Sequence, residues 1–326
     1  MSQDLFDKAV RLEEEGQYEH ALAVWRRLAE TSPTRNVFLR LGSITENLGL
    51  LDEAGRAFKR ALEIDGRSAD ALVALGSLAI DQRNYKTAVE YLRRACEIQE
   101  QPAGFSLLGV ALRNTGVLLD AEAAYRSAIR INPEYEEAYY NLGVLLRDDR
   151  PSEAQPLLMR ALELDPTYAC AHRELGFLLS KRSPDAQAET HIRKAIELDP
   201  NDAWAHIYLG IHLWRCTEID AAVKEFSIAK DLAPDWAVPL WSLGNIYESE
   251  SRDLDLAQSF FERALQLEPD DWSALRGLAR VFEKRGQTDL AREYITRALL
   301  QDPSDERSLS MLKKIKGTTR KGQAHI

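Results

Sequence analysis

The chain has few residue combinations that could carry out catalytic chemistry. Its closest histidine pair, His206 and His212, is six residues apart, a spacing that does not place two metal ligands on one helix face. Carboxylate pairs such as Asp148-Asp149 fall at expected turns, where helix capping explains them. The sequence has no phosphate-binding glycine loop and no nucleophile elbow. It therefore predicts a protein that is not an enzyme and that uses no metal or other cofactor.

Aromatic residues are concentrated in one stretch of the second half. This stretch runs from Trp204 to Trp236 and also contains Tyr208, Trp214 and Phe226. Trp, Tyr and Arg are the residue types most enriched at binding hot spots. The chemistry that such side chains support is recognition of a partner. Which of them could act together depends on the elements that carry them.

The helices that carry these residues are indicated by a sequence repeat of 33 or 34 residues. Glycines that follow a leucine recur with this spacing at Gly42, Gly76, Gly109, Gly143, Gly176, Gly210 and Gly244. Two series of alanines keep the same register, and prolines close most repeats. Small residues allow two helices to approach closely, and the residue before a proline is disfavoured in a helix. Each repeat therefore predicts two amphipathic helices joined by a turn.

A period near 34 with these residue types resembles the tetratricopeptide repeat. Nine copies can be counted, and the resemblance implies an all-α, right-handed superhelical α-solenoid of helical hairpins over residues 1–305. The amphipathic stretch 306–316 contains Leu309, Leu312 and Ile315, which suit a capping helix over the last repeat. Residues 317–326 are expected to form a disordered basic tail. No composition shift marks a second domain.

Charge and composition limit the kinds of partner. The net charge of -10 argues against nucleic acid as the main partner, because phosphate binding needs a basic surface. No apolar stretch is long enough to span a membrane, and the N-terminal residues lack an apolar signal region. The three cysteines have no motif spacing and are interpreted as packing residues in a reducing compartment. We therefore expect a cytoplasmic protein without a membrane partner.

By the same resemblance, the first helix of each repeat lines the groove that binds a partner. The groove positions are small and acidic near the N-terminus and become aromatic and basic from repeat 4 onward. The candidate partner-binding residues are Arg113, Tyr140, Asn141, Arg147, Arg173, Phe177, Lys181, Trp204, Tyr208, Trp214, Arg215, Trp241 and Asn245.

These positions predict a non-enzymatic scaffold or adaptor that binds an extended or helical protein segment in the groove of repeats 4–8. The aromatic residues would hold apolar side chains of the partner, and the arginines and lysine would face its acidic groups. One alternative is a regulatory subunit that acts only within an enzyme complex. Another is an RNA-binding helical-repeat protein, which the acidic balance disfavours. Two binding patterns of the family are not matched, since the two-carboxylate clamp is missing and only Asn141 fits the asparagine ladder.

Overall fold

The computed structural model of this chain describes the backbone of residues 2–182, 186–250 and 253–322. Within these ranges it consists of nineteen α-helices and contains no β-strand. The prediction of an all-α fold is therefore confirmed. The chain forms two compact units, Met1–Pro166 and Thr167–Ile326.

The first unit consists of five helical hairpins. Its helices are α1 (Ser2–Glu14), α2 (Tyr18–Thr31), α3 (Arg35–Asn47), α4 (Leu51–Ile64), α5 (Ala69–Asp81), α6 (Tyr85–Ile98), α7 (Pro102–Asn114), α8 (Leu118–Ile131), α9 (Glu136–Leu146) and α10 (Pro151–Leu164). Odd-numbered helices are the first helices of their hairpins, and even-numbered helices are the second. Each helix packs on its hairpin partner, and the second helices of the first four hairpins also pack on the helix that follows them.

The second unit consists of four hairpins and one further helix. Its helices are α11 (Ala169–Arg182), α12 (Ala186–Leu198), α13 (Ala203–Arg215), α14 (Ile219–Leu232), α15 (Ala237–Ser249), α16 (Leu254–Leu267), α17 (Trp272–Lys284), α18 (Thr288–Gln301) and α19 (Glu306–Gly322). The helix α19 packs on α18.

The glycine register has a direct packing cause. In the seventh hairpin, a Cβ atom added to Gly210 would lie 2.7 Å from Cε1 of Phe226, whose ring is fully buried in the second helix. A Cβ on Gly176 would lie 2.6 Å from Ile192 and 2.9 Å from the carbonyl oxygen of Ala188. The glycine therefore leaves the space that a large residue of the second helix fills. This packing of a large side chain against a glycine recurs with the period of the sequence and stabilises each hairpin.

The C-terminal helix packs through a set of residues that includes the predicted Leu312 and Ile315 but not Leu309. Ser308 and Ile315 are 1% and 2% exposed, and Met311 and Leu312 pack against the same apolar cluster. Leu309, which was expected to cover the last hairpin, is 38% exposed. Because α19 runs from Glu306 to Gly322, the helix also continues beyond the predicted boundary at 316. The end of the predicted tail, residues 323–326, lies outside the described residues.

Candidate partner-binding surface

The first helices of successive hairpins lie side by side within each unit. In the first unit α7 contacts both α5 and α9, and in the second unit α11 contacts α13 and α15 contacts α17. We refer to the surface that these helices form in each unit as the first-helix face of that unit. Arg113, Tyr140, Asn141 and Arg147 of the candidate residues belong to the first unit, and the other nine belong to the second.

Four aromatic rings form a continuous row in the second unit. Phe177 of α11 stacks on Tyr208 of α13 with ring centroids 4.0 Å apart and an interplanar angle of 15°. Tyr208 lies 5.8 Å from Trp204, which lies 5.3 Å from Trp236 at the start of α15. These separations fall in the range of favourable aromatic pairs. We call these four residues the aromatic row.

In this row Tyr208 is buried, and the two tryptophans at one end are open to solvent. Tyr208 is only 8% exposed, whereas Trp204 and Trp236 are 36% and 38% exposed. The predicted role of Tyr208 as a direct anchor for a partner therefore does not fit its burial, and Tyr208 instead supports the rings on either side. Partner contacts along this row would fall on Phe177 and the two tryptophans.

Trp236 was not among the candidate residues. It is the N-cap residue of α15, eight residues before Gly244, and so lies just before the groove positions predicted on the first helix of its repeat. A signal for it was present, because Tyr135 and Tyr168 occupy the same place in their repeats. An aromatic residue at this recurring position could have been added to the set.

Two exposed cationic side chains lie beside the aromatic row. Lys181 places its Nζ atom 5.6 Å from the centroid of the Phe177 ring. Arg215, at the end of α13, donates from Nη2 to the carbonyl oxygen of Lys181 over 3.4 Å. Both residues lie at or near the C-terminal ends of their helices, where the helix dipole favours positive charge. Aromatic and cationic groups are therefore adjacent on this face.

Arg173 is engaged within the protein. Its guanidinium forms ion pairs with Asp202 at 2.6 Å and with Glu174 at 3.0 Å, and its side chain is only 14% exposed. Asp202 also caps α13 by accepting hydrogen bonds from the backbone N–H groups of Trp204 and Ala205. Arg173 therefore joins α11 to the start of α13. Its predicted role in facing acidic groups of a partner would compete with these contacts.

A similar network joins α15 to α17. Glu248 is 4% exposed and accepts a hydrogen bond from Arg280 Nε at 2.8 Å. It also forms an ion pair with Lys284, whose Nζ atom lies 3.0 Å from the carboxylate. Arg280 also donates to the side-chain oxygen of Asn245 at 2.5 Å. The positive charges of Arg280 and Lys284 in the ninth hairpin are therefore balanced by a carboxylate within the protein. The candidate residue Asn245 belongs to this internal network.

The remaining candidates differ in how far they are exposed. Trp214 and Trp241 are half-buried and pack against the apolar clusters of the second unit. In the first unit Asn141 is 7% exposed and donates to Ser106 Oγ at 3.3 Å, which joins α9 to α7. Arg147 pairs with Asp148 at 3.0 Å. Arg113 and Tyr140 are half-buried on the first-helix face.

No metal or nucleophile centre emerges from the described part of the chain. Across those residues, no three His, Cys, Asp or Glu side chains are grouped so that they could hold a metal ion. The three cysteines are free, and burial raises the pKa of Cys96 to about 11, which disfavours a thiolate. None of the helices in the described ranges is long and apolar enough to cross a membrane.

Stacked hairpins in which a glycine of one helix accommodates a large residue of the next define a helical-repeat protein. Two models described as "Tetratricopeptide repeat" match residues 107–169 and 249–315. A model described as "Cilia and flagella-associated protein 70 middle TPR-like domain" matches residues 7–130. The chain belongs to the tetratricopeptide-repeat proteins.

Curated relatives include much longer proteins. Human protein O-mannosyl-transferase TMTC2 is 33% identical over 256 residues, which cover 72% of this chain and 30% of the relative. Tetratricopeptide repeat-containing protein trd-1 of Caenorhabditis elegans is 29% identical over 152 residues, covering 45% and 19%. Human protein O-mannosyl-transferase TMTC3 is 23% identical over 260 residues, covering 76% and 28%. The chain thus spans less than a third of the length of these relatives.

Solved structures share the fold at low sequence identity. A tetratricopeptide repeat protein from Parabacteroides merdae has a TM-score of 0.63 at 16% identity and covers 76% of this chain and 99% of that one. A chain of the APC/C hetero-tetramer Cut9–Hcn1 structure gives a TM-score of 0.60 at 14% identity, covering 97% of this chain and 83% of that one. Yeast Tom70 gives 0.54 at 16% identity, covering 98% and 88%. These similarities establish the helical-repeat fold.

Proposed function

We propose that this chain is a non-enzymatic interaction module that binds a protein segment on its first-helix face. The observation that carries this proposal is the aromatic row, in which Trp204 and Trp236 are more than one-third exposed and Phe177 lies next to the exposed cation Lys181. Partly exposed tryptophans supported from below by a buried ring are favourable anchors, because binding removes their apolar surface from water without a large loss of side-chain entropy.

The charges indicate the chemistry of the partner. The whole chain carries a net charge of -10, whereas the exposed side chains next to Phe177 are cationic. Positive charge beside an aromatic surface in an acidic protein favours a segment that combines apolar side chains with acidic groups. An extended peptide or a single helix suits a face built from parallel helices at regular intervals. On the first-helix face of the first unit, the proposed contact residues are Arg113, Tyr140 and Arg147.

The first test is a titration of a partner identified by affinity purification and mass spectrometry. Trp204→Ala and Trp236→Ala should each weaken binding by about 2 kcal/mol or more, which is roughly a thirty-fold loss of affinity. Trp272→Ala is a matched control, because Trp272 is 39% exposed but stacks under Arg276 outside the aromatic row. Wild-type affinity in both row variants, with intact folding, would refute binding at this surface.

A second candidate function comes from the transferase relatives. Two of the relatives described above are named protein O-mannosyl-transferases, and the chain spans 30% and 28% of their length. The chain would then serve as a regulatory or substrate-binding part within an enzyme complex. Co-purification of a transferase would support this candidate, whereas mannosyl transfer by the purified chain alone would refute the non-enzymatic proposal.

Two further elements of the proposal are tested separately. We expect the protein in the cytoplasm, which cell fractionation would check. We also expect that RNA does not bind at physiological salt, because the chain is acidic and several basic residues of the first-helix face are paired within the protein. A salt-sensitive shift with RNA would contradict this expectation.

A further inference from the structure

A cleft of about 400 Å³ lies in the first unit between α4, α5 and α6. Its floor is apolar, because Leu75, Leu78 and Ala79 line it and are 3%, 5% and 6% exposed. Two of its three walls are second helices, so it is not part of the first-helix face. Its volume falls within the range of about 300–1,000 Å³ that is typical of ligand pockets.

The cleft has a cause in the sequence. The residue that follows the first recurring alanine of each repeat is Gly55 in the second repeat. The other eight repeats have a larger residue there: Leu22, Val89, Glu122, Gln155, Glu189, Val223, Gln258 and Arg292. Gly55 lines the cleft, and a Cβ added to it would meet only Leu78, at 3.2 Å. The missing side chain leaves this space open.

In other hairpins the residue equivalent to Gly55 contacts the turn between the two helices of the next hairpin. In the fourth repeat Glu122 accepts a hydrogen bond from Arg150 Nη1 at 3.2 Å. In the eighth repeat Gln258 accepts from Arg285 Nη1 at 2.5 Å. Each of these contacts bridges neighbouring hairpins on the side of the second helices. In the second repeat Gly55 has no side chain with which to make such a bridge.

The rim of the cleft is predominantly cationic. Arg56 and Lys59 of α4 line it and are exposed, and neither forms an ion pair within the described part of the chain. Their neighbours Arg26 and Arg60 are paired with Glu53 and Glu63. The opposite wall supplies the amide side chains of Gln82 and Asn84. Asp52, at the start of α4, is the single carboxylate among the lining residues.

We propose that this cleft binds an acidic segment of a partner protein. A bulky apolar side chain of the segment would lie on Leu75, Leu78 and Ala79, and carboxylates on either side of it would face Arg56 and Lys59. Charge complementarity selects this occupant, because Arg56 and Lys59 are exposed at the cleft of an otherwise acidic chain and neither belongs to an ion pair among the described residues. The site is separate from the aromatic row, and the inference does not depend on the proposed function.

The probe for this site is a fluorescein-labelled nonapeptide with one central phenylalanine flanked by aspartates, titrated with the full chain and followed by fluorescence anisotropy. Gly55→Gln should weaken binding at least about tenfold, or about 1.4 kcal/mol, because the new side chain fills the cleft. This variant should fold, since it replaces a helical glycine by a better helix former and meets only a leucine methyl group. Gly66→Gln is the control, because nothing lies within 4 Å of Gly66.

The charge of the rim is tested separately. Arg56→Glu and Lys59→Glu should weaken binding of the acidic peptide and reduce its salt dependence. Lys8→Glu makes the same charge change on α1, away from the cleft, and should have little effect. A peptide with lysines in place of the aspartates should not bind.

Four results would overturn the proposal. The acidic peptide could fail to bind the wild-type chain at about 1 mM, where even an interaction of about 4 kcal/mol would be half saturated. It could bind folded Gly55→Gln as tightly as wild type. The lysine peptide could bind equally well. Loss of binding in Trp204→Ala but not in Gly55→Gln would place the peptide on the first-helix face and likewise refute the cleft.

Discussion

His206 shows how a single side chain can hold a hairpin together through its charge. Its Nδ1 atom lies 2.7 Å from Glu225 Oε2, and its Nε2 atom lies 3.3 Å from the carbonyl oxygen of Pro200. Both ring nitrogens thus have an oxygen acceptor, which only the imidazolium form can satisfy. The hydrogen bond to Glu225 raises the pKa of His206, against the opposing effect of burial.

This geometry predicts a defined pH dependence of stability. Because the pKa of His206 is raised in the folded state, its contribution is fully present below the unfolded value of about 6.5 and is lost as pH rises through the folded pKa. His206→Gln should therefore lower the free energy of unfolding most at about pH 6, by about 1.5–3 kcal/mol. The urea midpoints of the two proteins should converge as pH increases.

Another histidine acts in the opposite direction. Burial, together with the charge of His172, lowers the pKa of His191. Because the folded protein disfavours a protonated His191, this residue reduces the free energy of unfolding as pH falls below about 6.5. Comparison of wild type with His206→Gln cancels this contribution, because both proteins retain His191. A difference in midpoint that stays constant across the titration would contradict a charged His206.

At the scale of elements, α19 should stabilise the end of the second unit through one face. Ile315 is 2% exposed, whereas Leu309 on the same helix is 38% exposed. Ile315→Ala should lower the free energy of unfolding by about 2–4 kcal/mol, because it removes buried methyl groups and leaves a cavity. Leu309→Ala should change it by less than about 1 kcal/mol. Urea denaturation of both variants checks the difference, and equal effects would show that α19 does not pack as a cap.

The cap also shows where a periodic pattern is insufficient. The stretch from Glu306 was predicted to be an amphipathic helix from its leucines and isoleucine, and it is helical. The choice of Leu309 as a packing residue was wrong, because Ser308, Met311, Leu312 and Ile315 occupy the face toward α18. A small polar residue at 308 gives no hydrophobic signal, although close approach of two helices favours it.

At the scale of the whole molecule, stability should be local along the chain. Within each unit, helices contact their hairpin partners and their neighbours in sequence, which is the arrangement of a quasi-one-dimensional array. Gly210→Val should force α13 away from Phe226 and destabilise the seventh hairpin by about 1–3 kcal/mol or more. Hydrogen exchange followed by mass spectrometry should show faster exchange in α13 to α15 and unchanged exchange in α1 to α4. Uniformly faster exchange would instead indicate a single cooperative unit.

The sequence by itself determined the all-α class, the nine hairpins and their register. These features repeat every 33 or 34 residues and depend on local rules, because a glycine and the large residue that fills its space lie about one helix apart in the same hairpin. The tetratricopeptide-repeat assignment followed from the same positions and is confirmed. Residue types also pointed to the stretch around Trp204, where the aromatic row is found.

Only the tertiary structure decided which of the candidate side chains are exposed and which are held in contacts within the protein. Arg173 and Lys181 look equivalent on one face of α11, yet Arg173 pairs with Asp202, 29 residues away, and Lys181 remains exposed beside Phe177. Trp236 joins Trp204 across 32 residues, and Gly55 opens a cleft whose walls come from three helices. Such contacts depend on how neighbouring hairpins are placed in space, and a pattern confined to one repeat does not contain that placement.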